Sequence, residues 1–215
     1  MAYGGGTWLV QNKVLPGSYI NFVSLARAIV SLADRGYAAM PLELDWGVDG
    51  EVFTVENSDF QKDSLKIFGY SYDHEKMKGL RDLFSNAKTL YAYKLNEGAK
   101  ASNEFATAKY AGKRGNDIKI SISANVDDPS KWDVDTMLDN KRIDSQTVSA
   151  VTDLKNNDFV DFKSGVSLSS TSATPLTGGT NGTAVAGAEY QKFLDKIETY
   201  YFNTLGCLST DTTIK

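Results

Sequence analysis

The sequence predicts an α+β chain with an extended N-terminal arm, a small mixed α/β unit, a β-rich sandwich- or barrel-like module, and a helix and strand that begin a further unit. Three observations carry that prediction. Segments around Met77–Phe84 and Tyr190–Tyr201 space apolar side chains three and four residues apart. Between them, residues 101–175 hold short alternating runs separated by turn residues, as sandwiches and small barrels do. The opening residues combine Gly4-Gly5-Gly6 with a few large hydrophobes and no helical period.

Residues 1–17, ending at Leu15-Pro16-Gly17, therefore read as an arm. Exposed backbone carrying Trp8, Leu9 and Val10 can pair with a sheet edge, its own or a neighbour's. The commoner fate of such a terminus is fraying.

Residues 18–100 form the mixed unit. Ser18–Leu32 reads as a strand on its β-branched and aromatic content, and Asp34-Arg35-Gly36 punctuates it. Tyr37–Leu44 and Val52–Val55 follow as strands around a turn at Trp46-Gly47-Val48-Asp49-Gly50, and the three are expected to form a meander. A short helix is expected after Asn57. A second, running from about Asp73 to Asn86, puts Met77, Leu80, Leu83 and Phe84 on one side and His74 in its first turn. Thr89–Leu95 alternates as a strand.

In the β-rich module, residues 101–175, strands are expected at Phe105–Tyr110, Asp117–Ala124, Trp132–Leu138, Arg142–Val148, Phe159–Phe162 and Val166–Leu168. Ser169–Val185 is polar and glycine-rich and reads as a linker. Within the last unit, residues 176–215, a helix from about Ala188 to Tyr200 sets Tyr190, Phe193, Leu194, Ile197 and Tyr201 at helical spacing and exposes Lys192, Asp195 and Glu198, and Phe202–Gly206 supplies a strand and turn. A helix and strand with no returning strand leave a βαβ-type unit open, so the sequence is expected to be a piece of a longer protein.

Composition narrows the function. The chain has 215 residues, 41% hydrophobic and 23% charged with 4 prolines, which suits a soluble globular protein rather than a disordered one. Cys207 is the only cysteine and His74 the only histidine, which excludes internal disulfides, two-histidine metal sites and multi-cysteine zinc clusters. The net charge of -4 is spread over both halves, so neither is a basic nucleic-acid footprint. The N-terminus lacks a basic start and the apolar core of a secretory signal, and the stretch Phe22–Ala33, broken by Arg27, is too short for a membrane span of about 20 residues. The expectation is a soluble protein made in the cytoplasm, with no nucleic acid partner and no membrane insertion.

The chemical motifs are weak. Leu176–Thr183 has the glycines of a phosphate loop but no Gly-Lys-Ser/Thr ending, and a structural turn between units is the better reading. Asp127, Asp128, Asp133 and Asp135 lack the glycine and glutamate of a calcium loop and read as a solvated acidic turn. His74 and Cys207 have no activating neighbours in sequence, so His74 is expected to begin a helix and Cys207 to pack as a small hydrophobe. Aromatics beside lysines, as in Lys66–Tyr70 and Tyr91–Lys94, suit buried strands better than a base-stacking platform in an acidic protein. No catalytic residue, cofactor or metal is expected.

Several stretches form an ordered set: Gln11–Val14 with Pro16–Phe22, Asp34-Arg35-Gly36 with Met40–Glu43, Phe68-Gly69-Tyr70, and Leu80–Phe84. The most specific is the GxxGN turn of Gly112-Lys113-Arg114-Gly115-Asn116, followed by Leu176–Gly182 and Phe202–Leu205. Together they resemble the sheath proteins of contractile phage tails, particularly those of Gram-positive prophages and phage-tail-like bacteriocins. The resemblance implies a structural, non-enzymatic subunit of stacked hexameric rings around a tail tube, whose contraction drives the tube through a bacterial envelope. It implies self-association, a tail tube protein and a baseplate as partners, assembly in the bacterial cytoplasm and residence in a phage or phage-tail-like particle. It further implies that residues 176–215 begin a subtilisin-like sheath domain, a likeness of fold alone. On this reading Trp8, Leu9 and Val10 serve arm pairing between subunits. Gly112, Gly115 and Asn116 set the turn, and Gly178, Gly179 and Gly182 set the junction between units. The alternative is a surface- or glycan-binding β-rich module of a tail or envelope protein, suggested by exposed aromatics and the strand-rich middle of the chain.

Overall fold

In the computed structural model, residues 36–212 and 214 are described. The expected arm, with Trp8, Leu9 and Val10, and the expected strand at Ser18–Leu32 lie outside them.

Among the described residues β1 (Tyr37–Leu42), β2 (Val52–Glu56), β3 (Thr89–Lys94) and β11 (Thr204–Leu205) form the first sheet, in the order β11-β1-β3-β2. β1 runs parallel to β3 and β11, and β2 is antiparallel to β3. The expected meander is thus wrong within the described residues, because β1 and β2 flank β3 instead of pairing with each other. Alternate side chains of β1 and β3 are buried on both faces, as befits inner strands covered on each side.

One face is covered by helix α1 (Asn57–Phe68) and helix α2 (Lys78–Phe84). Phe60, Ser64 and Phe68 recur every fourth residue on α1 and are buried, and Phe60 stacks on Phe84 of α2. Gly69 ends α1 in the left-handed conformation, with its N–H on the Leu65 carbonyl. The helix expected from Asp73 starts instead as a 3-10 turn at Glu75–Met77, with His74 at its cap accepting from the Lys76 N–H through Nδ1. Met77, at φ -88 and ψ -1, separates this turn from α2.

Helix α3 (Gly187–Ile197) covers the other face, packing Phe193 and Ile197 on Ala39, Tyr93 and Leu95. α3 and β11, expected to open a separate unit, thus join the sheet of residues 37–94. Phe193 and Ile197 of α3 find their cover on that sheet, whereas Leu194, expected on the same apolar face, is exposed.

The β module is inserted in the chain between β3 and α3. One of its sheets has the order β10-β6-β7-β8, from β6 (Ile118–Ala124), β7 (Trp132–Leu138), β8 (Lys141–Val148) and β10 (Thr171–Pro175). The other is β4-β5-β9, from β4 (Lys100–Ser102), β5 (Ala106–Ala111) and β9 (Val160–Phe162). Ile118, Ile120, Ile122, Val134 and Leu138 alternate inward to a core shared with Ala106, Ala108, Phe159, Val160 and Leu176. Asp139 and Asn140, both at positive φ, close the β7–β8 hairpin in two residues.

Two expectations fail here. Val166–Leu168 is not a strand; its apolar side chains cap the core from a loop. The polar stretch Ser169–Val185, read as a linker, contains β10, which pairs with β6, and the fully buried Leu176.

Candidate functional site

The sequence-selected glycines and Asn116 meet in one place, where the β module joins the first sheet. The chain passes between these units twice, at residues 95–99 and 177–183. At the crossing a Cβ on Gly98 would fall 1.8 Å from the Thr180 carbonyl oxygen, and one on Gly182 would fall 1.6 Å from that of Glu97. Only glycine permits backbones to approach so closely.

The turn at residues 112–116 packs against both passages. Asn116 binds Gly179 reciprocally: its Nδ2 donates to the Gly179 carbonyl at 2.8 Å and its Oδ1 accepts the Gly179 N–H at 2.8 Å. Gly115 sits where a Cβ would meet those of Ala101 and Ala108 at 2.9 and 3.1 Å. Gly178 turns at φ 84 in open space.

Sequence reading missed the polar groups that complete this clasp. Asp45 accepts from Asn181 Nδ2 at 2.7 Å, from the Tyr70 hydroxyl at 2.7 Å and from Lys76 Nζ at 2.5 Å. Asn181 Oδ1 in turn accepts the Lys113 N–H at 2.8 Å. Arg114 lies over the Tyr70 ring, donates from Nε to the Gly69 carbonyl at 2.7 Å, and forks onto Asp117 and Asp139. Lys94, its side chain wholly buried, reaches Asp49 at 2.8 Å and the Ala111 carbonyl at 2.6 Å. Asn96 brackets Leu44 through that residue's N–H and carbonyl. Trp46, 1% exposed, crosses from the first unit into the β-module core and stacks edge-on against Tyr110.

Burial pushes the Asp45 carboxyl up, but hydrogen bonds from Lys76, Asn181 and Tyr70 outweigh it and bring the pKa down to about 2. A depressed carboxylate stabilises the fold fully above its unfolded pKa, and the contribution disappears as pH falls through the folded value. Unfolding free energy should therefore drop by about 1–2 kcal/mol between pH ~4 and pH ~2 through Asp45 alone. Urea titrations across that range should show the drop in the wild type and a smaller one in Asp45→Asn.

The remaining motifs have ordinary places. Leu176–Thr183 packs on the junction, and α3 begins only at Gly187. Asp128 accepts from Ser130, and Asp133 from Asn125 and Thr147. Among the described residues no cluster of three or more His, Cys, Asp or Glu is placed to hold a metal. Cys207 is exposed, contrary to its expected packing. The aromatics of residues 101–175 belong to the core: Phe105 and Phe159 are buried, and Tyr110, Trp132 and Phe162 pack against them. Among the described residues no helix is long and apolar enough to cross a membrane. Its polar groups, paired to one another and to backbone, tie the β module to the first unit at the junction.

Comparison with known proteins agrees with this division. A family model described as the tail sheath protein Gp18 domain III N-terminal region matches residues 35–95, and one described as the phage tail sheath protein beta-sandwich domain matches residues 96–181. The phage-like element PBSX protein XkdK of Bacillus subtilis strain 168 is 39% identical over 84% of this chain and 39% of its own length. A solved sheath tail protein from Desulfitobacterium hafniense superposes with TM-score 0.77 at 39% identity, covering 92% of this chain and 47% of that one. The sheath tail protein Lin1278 of Listeria innocua gives 0.71 at 32% identity, covering 88% and 46%. The chain thus spans less than half the length of these relatives.

Proposed function

Because this chain belongs to the phage tail sheath protein family, we propose that it serves as a structural subunit of a contractile sheath, stacked in hexameric rings around a tail tube and contracting to drive the tube through a bacterial envelope. The observation that carries this reading is the junction of the two sheath units: the family models meet at residues 95 and 96, where the backbone crossing and the Asp45 network fix one unit on the other. A sheath subunit must pass load from one contact surface to another, and a polar, closely packed joint does so without hydrolysing anything. The stored energy then resides in two sets of inter-subunit contacts of different free energy. The subunit's role is non-enzymatic.

Its partners are neighbouring copies, the tail tube protein and the baseplate. It assembles in the bacterial cytoplasm and resides in a phage or phage-tail-like particle. Trp8, Leu9 and Val10 link it to a neighbour by strand pairing, which is tolerant of sequence and survives reorientation of the body. The glycines at 112, 115, 178, 179 and 182 and Asn116 hold the body rigid.

A full-length sheath protein carrying this sequence, expressed with its tube protein, should form hollow cylinders with sixfold end views by negative-stain electron microscopy. Deleting residues 2–14 should leave the circular dichroism spectrum and melting temperature unchanged while abolishing the cylinders. Dispersed monomers under every condition would overturn the sheath reading, and cylinders from the deletion variant would overturn the arm.

A further inference from the structure

We propose that Asn181 is a site of spontaneous modification: its side-chain amide cyclises onto the backbone nitrogen of Gly182, and hydrolysis of the resulting imide leaves an aspartate or isoaspartate that opens the clasp. Asn181-Gly182 is the only Asn-Gly pair in the sequence. Every other asparagine is followed by a residue whose side chain shields the next backbone nitrogen, as Asp117 does after Asn116 and Asp158 after Asn157.

The structure adds to the sequence. Gly182 is exposed, turns at φ 73, and its N–H makes no hydrogen bond among the described residues, so the attacking nitrogen is held by neither helix nor sheet. The Asn181 carboxamide is already polarised. Its Oδ1 accepts the Lys113 N–H at 2.8 Å, a donor placed to stabilise the oxygen as it gains charge in the tetrahedral intermediate. Its Nδ2 rests on Asp45, beside the Lys76 ammonium.

In the first step the Gly182 N–Cγ bond forms and the Cγ–Nδ2 bond breaks. The proton lost from the Gly182 amide leaves with the departing nitrogen as ammonia. Water then adds to either carbonyl of the five-membered imide, giving aspartate or, by the other opening, isoaspartate.

Either product undoes the joint. The Nδ2 donor to Asp45 is replaced by a carboxylate facing a carboxylate, which is repulsive. Isoaspartate also lengthens the backbone beside Gly182, in a crossing where even an added Cβ would fall 1.6 Å from Glu97.

The purified chain, held for weeks at physiological temperature and mildly alkaline pH, should be mapped by peptide mass spectrometry with isoaspartate detection. Residue 181 should convert first, at least severalfold faster than any other asparagine. Protease cleavage within residues 97–99 and 178–183 should rise in proportion. Asn181→Asp should show the raised cleavage at once, whereas Asn181→Gln, which retains a donor and an acceptor, should age far more slowly. Conversion elsewhere while residue 181 stays an amide would overturn the site. Conversion at 181 with unchanged cleavage and melting temperature would overturn the opening.

Discussion

Replacing Gly112 with alanine should destabilise the chain by about 3–5 kcal/mol, far more than the same change at Gly178. Gly112 sits at φ 137, outside the range L side chains adopt readily, and its Cβ would fall 1.9 Å from the Asp45 carbonyl oxygen. That backbone cannot yield cheaply. The Asp45 carbonyl accepts the Arg114 N–H, the Asp45 carboxylate gathers Asn181, Tyr70 and Lys76, and the next residue is the buried Trp46. Displacing residue 45 thus disturbs the clasp and the β-module core together. Gly178, at φ 84, has no atom within 4 Å of its would-be Cβ, so alanine there costs only the left-handed backbone, about 1–2 kcal/mol. Urea unfolding of both variants would measure the contrast. Equal losses would mean that the close approach to Asp45 is not what demands glycine at 112.

These two glycines also show how far the sequence could be read. The GxxGN turn and the glycine-rich run were visible as spacing, but the contact between them, through Asn116 and Gly179 at a separation of 63 residues, was not. Local strands were legible where alternation was clean, as at Trp132–Leu138. They were missed where small or polar residues form the strand, as at Thr171–Pro175, whose pairing with β6 is its reason to be extended. Pairing partners were the harder part. The meander failed because nothing local to Val52–Glu56 specifies β3 over β1, whereas the intervening α1 and α2 bring β3 beside β1. Likewise Asp45, Lys94 and Arg114 look like ordinary surface charges in sequence. Only the fold buries the Lys94 ammonium or lays Arg114 across Tyr70.

Arg114→Ala should cost about 2–3 kcal/mol, and Arg114→Lys should recover little of it. The guanidinium is nearly buried, and its Nε is the donor for the Gly69 carbonyl, at the end of a helix where a carbonyl otherwise lacks a partner. Its other nitrogens fork onto Asp139, at the tip of the β7–β8 hairpin, and onto Asp117, so one side chain ties helix α1 to two separate turns of the β module. Lysine offers a point charge that cannot meet three directions at once. The carboxylates contribute less than the buried fork, because Asp117 and Asp139 are 51% and 59% exposed and water screens them. Asp139→Asn should accordingly cost under about 1 kcal/mol. The hydrogen bond from Arg114 holds the Asp139 carboxyl below the usual range despite partial burial. Its stabilisation is therefore present above the usual carboxylate pKa and lost as pH falls below it, and Arg114→Ala should flatten that part of the acid dependence. A large loss in Arg114→Ala with an unchanged acid profile would locate the stabilisation in the Gly69 carbonyl and the Tyr70 ring. A loss matched by Asp139→Asn would locate it in the ion pair, contrary to what the exposure of Asp139 implies.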